Sequence, residues 1–186
     1  MKSMDMRFDL SIIRGWIGKE FKKYKSDTFD FTNSVTQIVG LYIGHDVFSI
    51  TNIQESVDYF GNTDDIAVAR LALSDESRIR SSFKDVDMIS TPVNDTIKAV
   101  RVVNEQQKIS ENGDVTYDVW LTRALIISVG EREISFEKDT VPFSEEIFIR
   151  RGYNLIEECS DEKSFLEGWE DICTPECRKV IVEIKG

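Results

Sequence analysis

Three cysteines and one histidine are the residues whose types could hold a metal ion or carry covalent chemistry. Zinc takes four thiolate or imidazole ligands in a tetrahedron. The chain offers such a set in Cys159, Cys173, Cys177 and His45. Cys173 and Cys177 flank Pro175, and no second cysteine pair completes a familiar zinc spacing. We therefore expect no metal or other cofactor. A zinc site remains the alternative, and otherwise the thiols pack as small apolar side chains.

The stretch 180–185 runs Val-Ile-Val-Glu-Ile-Lys. Its Glu183 and Lys185 are two residues apart, so on a strand both side chains point to one face. The pattern resembles the Glu-x-Lys strand of the restriction-endonuclease-like nuclease family over these six residues. The resemblance implies a carboxylate that binds a divalent metal, a lysine that positions the nucleophile, and an upstream metal-binding aspartate, Asp161 or Asp171. A metal-dependent hydrolase or nuclease using Glu183, Lys185 and Asp171 is thus an alternative function.

General acid–base chemistry near neutral pH would depend on His45, the only histidine. It stands beside Asp46 in a sequence typical of a tight turn, where a side chain is exposed and holds no substrate. The chain has no Gly-x-Ser-x-Gly motif and no glycine-rich phosphate-binding loop. These patterns favour a protein without catalytic activity.

Binding chemistry is indicated instead by one aromatic residue and a set of carboxylates. On the predicted strand 115–129, Trp120 lies on the same face as Thr116 and Asp118, so a large aromatic side chain lies on a polar face. Such a residue is a candidate anchor for a partner, unless it packs beneath a helix. The carboxylates that we predict to contact a partner are Glu131, Glu133, Glu137 and Asp139. The alternative is that they form an ordinary solvated face.

Charge is abundant and unevenly distributed along the chain. The 186 residues include 34 acidic and 23 basic side chains, which gives a net charge of −11. Residues 1–25 carry seven basic and three acidic side chains, whereas residues 131–176 carry fourteen acidic and five basic ones. A polyanion is repelled by this balance, which disfavours direct binding of nucleic acid and predicts a basic protein partner.

The elements that must position these residues follow from hydrophobic periodicity. Apolar side chains three or four apart predict an amphipathic helix over 7–25 and a second helix over 161–172. Residues 85–96 contain Pro92 and indicate a loop. Alternating apolar side chains predict strands over 35–43, 47–53, 66–73, 97–103, 115–129, 132–138, 147–149 and 180–184.

These elements predict an α+β fold in one domain, residues 1–186. A curved, mostly antiparallel β-sheet would carry an N-terminal amphipathic helix and a C-terminal helix packed on it. Residues 1–26 would form a peripheral element. Strand edges would also permit self-association, so a homo-oligomer and a component of a phage or secretion particle stay among the alternatives.

The compartment follows from two features of the sequence. No run of 18 apolar residues could span a membrane, and the N-terminus lacks the apolar stretch of a signal peptide. An odd number of cysteines agrees with a reducing compartment, so we expect a cytoplasmic protein. The function that fits best is a non-catalytic intracellular binding protein that presents an acidic surface to a macromolecular partner. An immunity-type or nucleic-acid-mimicking inhibitor from a bacterium or phage fits this description.

Overall fold

The computed structural model describes residues 4–27, 34–59, 62–159, 162–169 and 173–186. Strands dominate them. The elements in chain order are β1 (Met4–Met6), α1 (Leu10–Arg14), β2 (Glu20–Ser26), β3 (Ser34–Thr36), β4 (Ile38–Ile43), β5 (Asp46–Tyr59), β6 (Asn62–Ser74), β7 (Ile89–Glu111), β8 (Asp114–Val129), β9 (Arg132–Lys138), β10 (Glu146–Gly152), α2 (Lys163–Trp169) and β11 (Thr174–Lys185).

The strands are hydrogen-bonded in the order β3-β10-β9-β8-β7-β2-β4-β5-β6, with β1 beside β8 and β11 beside β7. The long strand β7 joins two layers. Its residues 89–96 pair with β2, whereas its residues 99–110 pair with β11. Among the described pairs, β1 with β8 is parallel and the others are antiparallel. The predicted mostly antiparallel sheet is therefore confirmed.

Two turns that the predicted strands imply, between 43 and 47 and between 129 and 132, are present. Gly44 and Gly130 both adopt a positive φ, of 60° and 54°, which glycine tolerates without steric cost. Gly44 connects β4 to β5, and Gly130 connects β8 to β9. Both hairpins contribute side chains to the same core.

The main core lies between the two layers and takes its side chains from both. Apolar residues of β4 and β5 pack in one cluster with those of β7, β8, β9 and β10. Trp16, which is 0% exposed, follows α1 and packs edge-on against Phe48 with their ring centroids 5.1 Å apart. Edge-to-face packing of this kind adds to the stabilisation from burial itself.

A second apolar cluster fixes the far end of the molecule. Ile66 and Val68 of β6 pack there with Tyr117 and Val119 of β8, and Phe165 of α2 joins them. Helix α2 lies within the predicted range 161–172, and positions 161 and 170–172 fall outside the described residues. No helix among the residues that the structure describes is long and apolar enough to cross a membrane.

The predicted helix over 7–25 is wrong except at Leu10–Arg14. Helix α1 ends at Arg14, a turn follows, and β2 begins at Glu20. Phe21 and Tyr24 are both buried although they are three residues apart, because the pairing register of β2 shifts between Phe21 and Lys23. A bulge in a strand thus reproduces the spacing of a helical stripe. The protein is consequently more sheet-dominated than the predicted α+β arrangement.

The predicted loop over 85–96 is also partly wrong, because β7 begins at Ile89. Pro92 lies opposite Lys23, where the register of β2 against β7 shifts. A proline has no N–H to donate, and irregular positions of this kind tolerate it. Asn94 beside it adopts a positive φ of 50°, which agrees with the local irregularity.

Gly40 of β4 allows a short 3₁₀ segment, Glu76–Arg78, to lie close to the sheet. A Cβ at position 40 would come within 2.5 Å of the buried Ile79 side chain. We expect Gly40→Ala to lower the free energy of unfolding by about 1–2 kcal/mol, measured by chemical denaturation. Gly15→Ala is the control, because Gly15 has an ordinary φ of −71° and a Cβ there would meet only the Ile12 backbone oxygen, at 3.4 Å. Equal stability of the two variants would contradict the proposed steric role.

Candidate functional site

A groove beside Trp120 is formed by the N-terminal segment and the β8–β7–β11 part of the sheet. Strand β1 pairs with β8 so that Asp5 lies opposite Trp120. Arg7 follows two residues later, and its guanidinium carbon lies 4.8 Å from the centre of the indole ring. The parallel pairing of three residues therefore positions a cation over the half-buried aromatic face.

Asp5 holds Arg7 in this position. The Arg7 Nε and Nη2 atoms donate hydrogen bonds of 2.9 and 2.6 Å to the two carboxylate oxygens of Asp5. These bonds hold the pKa of Asp5 below its usual value and raise that of Arg7. The pair thus stays charged on both sides through the neutral pH range.

The groove has a volume of about 770 Å³ and mixed walls. Phe8, Val180 and Val182 contribute apolar surface, and Asn104 contributes an amide. Arg178 of β11 also lines it, and no carboxylate of the described residues forms an ion pair with Arg178. A partner group that combines an apolar body with a hydrogen-bond acceptor would fit these walls.

The two carboxylates of the groove are poorly suited to proton transfer. Asp5 is engaged by Arg7, and Asp9 caps α1 by accepting a 2.8 Å hydrogen bond from the Ser11 backbone N–H. That backbone bond lowers the pKa of Asp9. A general acid needs a raised pKa, so the arrangement supports binding of a ligand more than catalysis.

The four carboxylates predicted to contact a partner have different surroundings. Glu137 is 1% exposed and forms an ion pair with Arg150. Glu133 is mostly buried and pairs with Arg101, while it also accepts a hydrogen bond from the Leu155 backbone. A buried carboxylate that is already neutralised offers no charge to a partner. Burial therefore argues against the prediction that Glu133 and Glu137 contact a partner.

The other two members of that set lie nearer to solvent. The Glu131 side chain is 94% exposed and its closest cation, Lys98, lies 3.6 Å away. Asp139 is half-buried, and its carboxylate accepts hydrogen bonds within its own loop from Thr140 and Val141. Of the four, Glu131 is the carboxylate that is accessible to another molecule.

A group of exposed carboxylates that the sequence did not single out occupies the end of the molecule beyond the second apolar cluster. We call it the acidic end, and it consists of Asp58, Asp64, Asp65, Glu111 and Asp114. The β5–β6 and β7–β8 hairpins reach this end, and Val57 packs with Ile109 in the second cluster. None of the five forms an ion pair with a described residue. Acidic residues next to two turns were the signal that could have identified them.

The residues of the nuclease alternative are only partly described. Glu183 and Lys185 lie exposed on β11, and the Lys185 Nζ atom is 2.9 Å from a Glu183 oxygen. Asp171 and Asp161 lie outside the described residues. The shared face predicted for Glu183 and Lys185 is present, and in this arrangement the two side chains neutralise each other.

The cysteines and the histidine are placed in three different surroundings. Cys173 and Cys177 pack against the second apolar cluster, whereas Cys159 packs with Val103 and Ile126. His45 is exposed in the β4–β5 turn. Within the described part of the chain, no three cysteine, histidine or acidic side chains come together in a way that could hold a metal ion. Burial raises the pKa of the Cys159 thiol to about 11 and that of Cys177 to about 12, so both are poor nucleophiles at neutral pH.

Comparison with known proteins adds no relative. No family model, curated protein or solved structure matches this chain.

Proposed function

We propose that the protein is a non-catalytic binding protein that presents its acidic end to a macromolecular partner with a basic surface. The observation that carries this proposal is the concentration, at one end of the molecule, of five exposed carboxylates that form no ion pair with any described residue. Uncompensated surface charge of one sign steers an oppositely charged partner and accelerates association.

The way in which these carboxylates are supported favours a protein partner. Long β-hairpins hold them, and side chains of both hairpins pack in the second apolar cluster beneath. A fixed display of charge loses little conformational entropy on binding, which favours affinity. An immunity-type or nucleic-acid-mimicking inhibitor is the class of protein that such a display suits, because both classes occupy a basic groove.

The test is affinity capture with two variants of equal net charge. The first neutralises the acidic end by Asp58→Asn, Asp64→Asn, Asp65→Asn, Glu111→Gln and Asp114→Asn. The control neutralises five exposed carboxylates elsewhere by Glu20→Gln, Asp85→Asn, Asp87→Asn, Glu157→Gln and Glu158→Gln. Each protein is immobilised and exposed to an extract of cells that produce it naturally, and retained proteins are quantified.

We expect the wild-type protein and the control to retain the same basic protein. The amount retained by the acidic-end variant should be at least about tenfold smaller. Retention should also fall at about 0.5 M salt, because the Debye length then shrinks to about 4 Å. Equal retention by all three proteins, or retention that salt does not change, would refute the role of the acidic end.

A further inference from the structure

Three charged side chains lie buried between the two apolar clusters. Arg123 of β8 is 3% exposed, Lys138 of β9 is 6% exposed and Glu105 of β7 is 2% exposed. Arg123 is the extra residue where the pairing of β8 with β7 shifts register. Arg123 alternates along β8 with the buried Leu121 and Leu125, so its side chain points into the same interior.

The two cations share few acceptors. The Arg123 Nη1 atom donates a 2.8 Å hydrogen bond to the Asp139 carbonyl, and the Lys138 Nζ atom lies 3.4 Å from the same oxygen. The Arg123 Nε atom is 3.7 Å from a Glu105 oxygen, which is too far for a hydrogen bond. The Arg123 Nε and Nη2 atoms are buried and have no hydrogen-bond partner within the part of the chain that the structure describes.

The charges of this group do not balance in the interior. Among the described residues, Glu105 is the one fully buried carboxylate that acts on Lys138, and its other oxygen accepts a hydrogen bond of 2.7 Å from the Gln107 amide. The Asp139 carboxylate is half-buried and bonded within its own loop, and its attraction, like that of Glu105, offsets only part of the effect of burial on the pKa of Lys138. Burying a charge without a counter-charge costs several kcal/mol. Burial lowers the pKa of Lys138 to about 8, so at neutral pH this side chain still carries most of its charge.

Space for a counter-charge exists on both sides of these cations. Two small cavities are lined by Arg123 and Lys138 together, one with Phe8 and Phe136 and the other with Tyr117. Each leaves about 10 Å³ of free space to the centre of a water-sized particle, which is room for one small molecule or ion. A water molecule would accept the free hydrogen bonds of Arg123 but would leave the excess positive charge.

We infer that one of these cavities holds a small monovalent inorganic anion of the size class of chloride, bound between Arg123 and Lys138. The Arg123 Nε and Nη2 atoms and the Lys138 ammonium supply the donors. Glu105 keeps the site from being more strongly positive, which suits one negative charge and not two. The site lies in the interior, so the anion is a structural part of the fold and independent of the proposed partner.

Bromide can replace chloride in such a site, and its anomalous X-ray scattering shows its position directly. Crystals of the protein grown in bromide should show an anomalous difference peak within hydrogen-bond distance of the free Arg123 nitrogens. In solution, thermal unfolding is followed at constant ionic strength while bromide replaces gluconate, which is too large for the cavity. The melting temperature should rise by about 3–6 °C for each tenfold increase in bromide above its dissociation constant.

Lys138→Met removes one of the two cations and should abolish the bromide-dependent rise, whereas Lys84→Met removes an exposed lysine and should leave the rise intact. General salt effects would act on both variants alike. An ordered water without an anomalous peak at Arg123, or a bromide response that survives in Lys138→Met, would overturn the inference. The crystallographic result on the wild-type protein decides the question if Lys138→Met fails to fold.

Discussion

Glu137→Gln is expected to lower the free energy of unfolding by about 2–3 kcal/mol. The substitution keeps the size of the side chain but removes the charge that neutralises Arg150 at a position that is 1% exposed. Breaking one side of a buried ion pair costs about 3–5 kcal/mol. The Arg150 side chain is 31% exposed, so partial hydration recovers some of that cost.

The matched variant is Glu131→Gln, and chemical denaturation measures both. Glu131 precedes the same strand, but its side chain is 94% exposed and its ion pair with Lys98 spans 3.6 Å. Exposed pairs of this kind contribute little, so we expect no measurable change in stability. If both variants unfolded at the same denaturant concentration as the wild-type protein, the Glu137 carboxylate would have no structural role.

The sequence shows why Glu137 was predicted at the surface. Alternation along β9 puts Ile134 and Phe136 on the inner face, and that part of the pattern is correct. The opposite face is buried as well, because the segment with Leu155 and Cys159 packs over Ile126 of the neighbouring strand. Periodicity within one strand reports that one face is apolar. It does not report that a later segment of the chain covers the other face.

The groove was predictable to a smaller extent. A tryptophan on a polar strand face indicated Trp120, and the structure places this residue in the groove. Arg7, which lies over its ring, is separated from it by more than a hundred residues and depends on the pairing of β1 with β8. A three-residue parallel strand has no periodicity that a sequence pattern could detect. The anchor role of Trp120 stays a prediction.

The burial of a charged group around Arg123 could not be predicted from sequence patterns, for a different reason. Arg123 interrupts the apolar alternation of 115–129, and alternation alone would place it beside Leu121 and Leu125 in the core. It does lie in the interior, at the position where the pairing of β8 with β7 shifts register. The interruption was thus a sign of irregular pairing, which becomes interpretable only when the register is known.

Lys138→Met is expected to stabilise the protein at pH 7 by about 3 kcal/mol when the buffer contains gluconate as its only abundant anion. Burial lowers the pKa of Lys138 from its ordinary value of 10.5 to about 8. Between pH 8 and pH 10.5 the unfolded chain therefore binds a proton that the folded protein does not bind. Lys138 makes stability rise with pH in this window, and about 3 kcal/mol is missing below it.

The measurement is the difference in unfolding free energy between Lys138→Met and the wild-type protein from pH 6.5 to pH 10.5. Other groups titrate in this range, because burial raises the pKa of Cys159 to about 11 and that of Cys177 to about 12. Their effect has the opposite sign, since the unfolded thiols lose protons first and stability falls as the pH rises. Both proteins contain these thiols, so the difference isolates Lys138.

The gain should be largest below pH 8 and should shrink steadily towards pH 10.5. A gain that does not depend on pH would mean that Lys138 titrates normally in the folded protein. The same stability difference is also measured at pH 7 in buffers where bromide replaces gluconate. An anion beside Lys138 stabilises the charged wild-type side chain, so the gain at pH 7 should decrease as bromide replaces gluconate. Thus the pH series measures the cost of burying the Lys138 charge, and the bromide series measures how far a bound anion offsets that cost.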